Sequence, residues 1–155
     1  MTTYKHTQIA YLMLSVTLVV LALFLWAQLE SRAEPQSVDS GTNFLVTFVM
    51  AAVLLILSSF ASLTVSLDEK YLRLKFGYGI FKKAFSLNEI ASAERVKNSW
   101  YYGWGIRFWP WSKMWIYNVS GFEAVQITMK NGKIYRLGTD EPTALESAIR
   151  QNIAN

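Results

Sequence analysis

Cysteine is absent from the 155-residue chain, which excludes a disulfide framework, a thiolate metal site and a cysteine nucleophile. Histidine is almost absent. His6 stands alone in the N-terminal segment, ahead of a long apolar run and far in sequence from any serine or carboxylate pair, so no Ser-His-Asp or histidine-metal set is expected, and no cofactor. Aspartate is scarce as well. The adjacent pairs Asp68-Glu69 and Asp140-Glu141 read as a turn and a helix start, where solvation and capping account for them without catalysis. A non-enzymatic protein is the expectation.

Charge is missing from two long stretches, residues 9–29 and residues 44–67. A helix that crosses the hydrocarbon needs about 20 apolar residues. The expected organisation is a cytoplasmic tail (1–8), a first transmembrane helix (9–29), an external connector (30–43), a second transmembrane helix (44–62) and a cytoplasmic domain (63–155). The first run outlasts the roughly 7 to 15 apolar residues of a secretory signal and exits through Leu25-Trp26-Ala27-Gln28-Leu29-Glu30 with no small-residue cleavage motif, which favours an anchor. Trp26 reads as an interfacial aromatic. The connector carries Glu30, Glu34 and Asp39 against Arg32, whereas Lys5 on one side and Lys70, Arg73, Lys75, Lys82 and Lys83 on the other are basic. The positive-inside bias then puts both termini in the cytoplasm. Ser15 and Ala22 on the first run, and Ala51, Ser58 and Ser62 near the second, mark small-residue faces for close packing within a hairpin or between copies.

The remainder is long enough for one small domain. Leu63, Val65 and Leu67, and then Leu72, Leu74 and Phe76, alternate with polar residues as half-buried strands do. About seven strands are expected in all, with Asn131-Gly132 as a type I′ hairpin turn between residues 124–130 and 134–137. Thr139 or Asp140, Glu141 and Pro142 form a helix start, and Leu145, Ala148, Ile149 and Ile153 share a face beyond it. An α+β arrangement of short antiparallel strands closed by one C-terminal helix is the layout of a pleckstrin-homology-like (PH-like) barrel or sandwich.

Four segments carry a resemblance over nearly all of this domain: Ser62-Leu63-Thr64-Val65, Tyr102-Gly103-Trp104-Gly105-Ile106-Arg107, Asn118-Val119-Ser120-Gly121 with Glu123-Ala124-Val125, and Leu137-Gly138-Thr139-Asp140-Glu141-Pro142. With them the chain resembles an uncharacterised family of small bacterial two-span membrane proteins, in which a helical hairpin precedes a bacterial PH-like domain. The resemblance implies a fold and brings no catalytic or ligand residue.

Tryptophan is the other abundance, with Trp100, Trp104, Trp109, Trp111 and Trp115 in one short segment. In an up-and-down meander that starts at the membrane, the chain returns there at Gly77-Tyr78-Gly79, at residues 98–113 and at Asn131-Gly132-Lys133. Trp104, Trp109 and Trp111 then sit at the headgroups, where amphipathic rings are favoured, with Arg107 and Lys113 placed to meet anionic phosphates. The bland alternative is that Trp100, Trp104 and Trp115 fill or cover the core. Two functions follow: a module contacting anionic lipid, or a membrane-tethered adaptor that docks another membrane protein or a second copy through the aromatic segment. Gly103-x-Gly105 reads as a turn, and Lys70, Arg73 and Lys75 as a solvated strand face. Basic residues are too dispersed for a nucleic-acid footprint.

Overall fold

A computed structural model describes residues 2–33 and 40–153. Strands β1 (Thr2–Ile9), β2 (Ser62–Asp68), β3 (Tyr71–Phe76) and β4 (Lys82–Ser86) form one antiparallel sheet in that order. Strands β5 (Ile90–Lys97), β6 (Gly105–Trp109), β7 (Met114–Asn118), β8 (Glu123–Met129) and β9 (Ile134–Gly138) form a second, ordered β5-β8-β9-β7-β6. Within it β7 runs parallel to β9 and the other pairs are antiparallel. Helices α1 (Tyr11–Ala33) and α2 (Ser40–Ser59) lie between β1 and β2 in sequence, and α3 (Pro142–Ile153) ends the described chain.

The core forms where the two sheets face each other. In β3 the leucines and Phe76 are buried while Tyr71, Arg73 and Lys75 are exposed, the period of two that a half-buried strand imposes. Across the interface Phe85 of β4 meets Tyr135 of β9 at 4.7 Å between ring centroids. Helix α3 covers the β5 side of the sandwich through fully buried Leu145 and Ile149, with Ala148 and Ile153 packed beside them, the face expected from the sequence. Thr139 supplies the turn into it, accepting a hydrogen bond from Glu141 N at 3.0 Å.

Several expectations are corrected. The strands number nine among the described residues because residues expected as a tail form β1, paired along β2 from Thr2↔Asp68 to Ile9↔Ser62, and because β6 forms inside the tryptophan segment. The helix expected to run to residue 62 ends at Ser59, and Ser62 opens β2. The Asn131-Gly132 turn is not type I′. Gly132 alone has a positive φ there, Gly132 N donates to Met129 O and Met129 N to Lys133 O, so Lys130, Asn131 and Gly132 make a three-residue loop with glycine in the left-handed position.

Among the described residues one helical segment, Tyr11–Glu30, is long and apolar enough to cross a membrane; the apolar part of α2, Phe44–Ser59, falls short of the usual length. Of the expected connector, residues 34–39 lie outside the described residues. The helices contact each other, with Gln28 Nε2 donating to Thr47 Oγ1 at 3.0 Å; Thr17, Val20, Phe24 and Gln28 on α1 and Thr47, Met50, Leu54 and Leu57 on α2 are half-buried, while Met13 packs against the domain core. Ser15, Ala22 and Ala51 point outward, contrary to the small-residue packing expected within a hairpin and compatible with contact between copies, whereas Ser58 is half-buried. The reason is the strand pairing at the helix roots, where Ala10 N donates to Ala61 O at 2.8 Å and so fixes how each helix is rotated as it leaves the sheet.

The sandwich has two unlike ends. At the helix end, Gly77 N donates to Ser62 O and the Tyr78 hydroxyl bonds the Leu55 carbonyl, while Gln8 Nε2 donates to Ser120 O at 3.1 Å and brings the β7–β8 turn there. Only glycine fits at position 77, with φ +45° and a virtual Cβ 2.5 Å from Ser59 O. At the far end, Leu87 N donates to Lys70 O and Lys130 N to Glu89 O. The Asn131-Gly132-Lys133 turn therefore lies away from the helices. The meander placed it beside them, but the chain changes sheet at residues 87–89 and β7 runs parallel to β9.

The far-end turn after β2 gives a test. Asp68 accepts hydrogen bonds from Lys70 N (2.9 Å) and Tyr71 N (2.7 Å) and pairs with the Arg73 guanidinium. These contacts, the Lys70 amide foremost and Arg73 next, hold its carboxyl at about 2, below the ordinary 3.8. A depressed folded pKa contributes stability that is present above the unfolded value and is lost as pH falls through the folded one. Asp68→Asn is thus expected to flatten the loss of stability between about pH 4 and pH 2. A carboxyl NMR titration of the folded protein with a midpoint at the ordinary aspartate value would refute the assignment.

Candidate functional site

Residues paired directly across neighbouring strands project to the same face. Tyr117, Leu137 and Val125 point into the core, so the alternating row Arg107, Ile116, Arg136 and Gln126 points out of the second sheet. Ile116 and its neighbour Met114 are nevertheless buried. The cover is the 3-10 turn Trp100–Tyr102, folded back over this outer face. The Arg136 guanidinium lies 5.5 Å from the Tyr102 ring centre, and its Nε donates to Gln126 Oε1 at 3.0 Å.

From there the rings run on without a break. Tyr102 and Trp109 are 4.9 Å apart, Tyr101 and Trp109 5.6 Å, Trp109 and Trp111 5.5 Å, and Trp100 and Tyr101 6.0 Å. The inner members shield Ile116 and Met114; the outer two are bare, Trp100 at 79% and Trp111 at 84% exposure. Five aromatic rings in contact, with their rim in solvent, are the most distinctive surface of the domain.

Of the residues expected to form a contact site, the structure joins Trp109 and Trp111 in this cluster. Trp104 is half-buried, and its carbonyl accepts a hydrogen bond from Arg107 Nε at 3.1 Å. Arg107 lies over Gly103, where a Cβ would sit 3.2 Å from its guanidinium carbon, so this arginine closes its own loop. Lys113 is exposed at the β6–β7 turn with φ +47°. Sequence reasoning missed Tyr101, Tyr102 and Arg136, and placed Trp100 with core-filling candidates. The signal available was the run Trp100-Tyr101-Tyr102 followed by a glycine of positive φ. None of the five clustered tryptophans belongs to the main core.

The segment 98–113 does not return to the helix end as one piece. Its start does, since Asn98 N donates to Phe122 O and Gly105 pairs with Asn118 near the Ser120 turn. Its tip does not: Trp109 pairs with Met114, and Met114 with Ile134, at the far end of the sheet. Trp111 and Lys113 sit at that tip.

The isolation expected of His6 is also overturned. With β1 folded into the sheet, His6 Nε2 lies 2.5 Å from Asp140 Oδ1 and Nδ1 lies 3.3 Å from Glu141 Oε2. Tyr4, two residues earlier on the same strand face, donates to Glu141 Oε2 at 3.4 Å, and burial first, then Glu141, push its phenol up to about 12. This set fastens β1 to the start of α3. No group of three or more histidine, cysteine, aspartate or glutamate side chains suited to a metal ion occurs among the described residues.

Comparison with protein-family models, with curated proteins and with solved structures finds no match to this chain.

Proposed function

We propose that the chain is a membrane-anchored, non-enzymatic interaction module, in which a helical hairpin holds a PH-like domain against the cytoplasmic face of a bacterial inner membrane and the five-ring patch docks another membrane protein. The observation that carries this reading is the continuous aromatic surface from Trp100 to Trp111, bare at its rim. Exposed apolar patches of this kind mark interaction sites, and tryptophan, tyrosine and arginine dominate the residues that supply binding energy.

Pairing of β1 with β2 supports the hairpin. The strand before α1 and the strand after α2 belong to one sheet, so a chain that leaves through α1 must come back to the same side before Ser62. Helix α2, 20 residues or about 30 Å long, is placed to bring it back. The same pairing argues against a cleaved signal, because cleavage after α1 would strip a strand from the sheet. Two sheets with a C-terminal helix suit the PH-like description.

Docking is favoured over headgroup contact by Trp104, Arg107, Trp109, Trp111 and Lys113. Arg107 is engaged with its own loop, and the tip bearing Trp111 and Lys113 points away from the helix end. Photo-crosslinking residues placed at Ser112 and at Tyr78 in the full-length protein, in its native membrane, test this. Ser112 is expected to give a protein adduct and Tyr78 a lipid adduct. Trp100→Ala with Trp111→Ala should lower the Ser112 adduct about tenfold, the scale of one strong contact residue, with an unchanged melting temperature because both rings are largely in solvent. A lipid adduct at Ser112 would reverse the assignment in favour of headgroup contact.

A further inference from the structure

Helix α3 closes the sandwich along β5, whereas the opposite side, between edge strands β4 and β6, has no covering helix or strand among the described residues. A cavity of about 210 Å³ opens there, lined by Phe76, Phe81, Ile106 and Tyr117 within and by Lys82 and Lys83 at its mouth. It lies at the helix end. Phe81 stacks on Phe60, at the root of α2, with ring centroids 5.2 Å apart, and exposed Ile80 and Tyr78 flank the opening. Towards the far end the apolar lining continues along the inner face of the β6–β7 hairpin as the Phe108–Trp115 pair, 5.2 Å apart and 49% and 40% exposed. The seam is therefore longer than the cavity and apolar throughout.

Its charge is unbalanced in a way the fold does not require. Lys75 and Lys82 are directly opposed across β3 and β4, and both side chains crowd over Gly79. Like charges in that position are destabilising. Among the described residues, no carboxylate lies within ion-pair distance of Lys75, Lys82 or Lys83. Lys82, opposite exposed Lys75, leaves β4 on the outer face and Lys83, opposite buried Leu74, on the inner one. An anion at the edge of β4 is thus within reach of both and would relieve the repulsion, while the apolar seam beside it suits a hydrocarbon chain.

We propose that the seam between β4 and β6 binds an anionic phospholipid of the bilayer, with one acyl chain against Phe81, Ile106 and Phe108 and the phosphate held by Lys82 and Lys83. The bilayer is the source because the cavity opens at the end from which the candidate span α1 departs. This site is distinct from the aromatic patch, which lies on the outer face of the second sheet.

Native mass spectrometry of the full-length protein, delipidated in mild detergent and then given phosphatidylglycerol or phosphatidylcholine, tests the assignment. One retained phosphatidylglycerol is expected, with phosphatidylcholine retained at least about tenfold less, the change that removal of one good charged contact produces. Lys82→Gln with Lys83→Gln should abolish the preference without lowering the melting temperature, since both side chains are exposed and the change removes the Lys75–Lys82 repulsion. Ile106→Trp, which fills the cavity, should block retention of both lipids. Octyl phosphate should displace the lipid and inorganic phosphate should not, which separates a lipid site from a phosphate site. Equal retention of the two lipids by the wild type, or retention untouched by the lysine pair, would overturn the proposal. So would displacement by inorganic phosphate alone.

Discussion

A chain that begins at Ser62 is expected not to fold cooperatively, whereas one in which residues 11–60 are replaced by Asn-Gly should give a folded, soluble domain. The first half of this expectation follows from β1. Truncation at Ser62 removes the whole β1–β2 ladder, the Tyr4 and His6 contacts with Asp140 and Glu141, and the Gln8 bond to Ser120. At about 1 kcal/mol net for each hydrogen bond, the Tyr4, His6 and Gln8 side chains account for about 3 kcal/mol and the ladder adds several more, a loss comparable to the whole stability of a small domain. It also bares the edge of β2, a template for aggregation. The second half follows from register. Ala10 N donates to Ala61 O at 2.8 Å, one residue beyond the Ile9–Ser62 pair, so Ala10 and Ala61 form the hydrogen-bonded pair that two residues of type I′ chemistry can join. The joined chain loses Phe60, which packs on Phe76 and Phe81, and should melt below the full-length protein while keeping one sharp transition. Circular dichroism melts of the two chains decide the matter; a cooperative transition of equal midpoint in the chain starting at Ser62 would remove β1 from the domain.

That dependence explains why the domain boundary was hard to read. The β3 alternation and the α3 face were legible because aliphatic side chains fall at periods of two and near four. Strand β1 offered no such signal: its inward positions are Tyr4, His6 and Gln8, and its partner lies beyond both helices. Tyr4, His6 and Gln8 all make polar side-chain contacts, and polar pairing across a long sequence gap leaves no local trace. The parallel β7–β9 pair is illegible for the same reason, and with it the position of the aromatic tip. Trp109 and Trp111 were recognised from Pro110 between them, which interrupts regular backbone. Trp100, Tyr101 and Tyr102 were not, because aromatic runs are as common in cores as on surfaces, and only the register of Arg136 against Ile116 reveals which face they cover.

Gly138→Ala is expected to lower stability by about 3 kcal/mol, or roughly 15 °C in melting temperature for a domain of this size. A Cβ at position 138 would fall 2.1 Å from Asn118 Oδ1 and 2.7 Å from Asn118 Cγ. Backbone preference is not the obstacle, since Gly138 shows no positive φ. What must move is Asn118, a buried side chain whose Nδ2 donates to Gly121 O at 3.0 Å and whose Oδ1 accepts from Ser120 N at 3.3 Å. Expelling it leaves both backbone groups without those partners and loosens the turn whose Ser120 carbonyl receives Gln8 of β1. A single methyl group on β9 therefore acts on the same end of the sandwich that carries the helices. Asn118→Ala in the Gly138→Ala background removes the clashing atoms, although Asn118 Cα would still lie 3.0 Å away, so the rescue is partial. The double variant is expected to be more stable than the sum of the single losses by at least about 1 kcal/mol, a coupling that chemical denaturation of all four chains measures. Strict additivity would mean that the glycine is required for a reason other than the asparagine it accommodates.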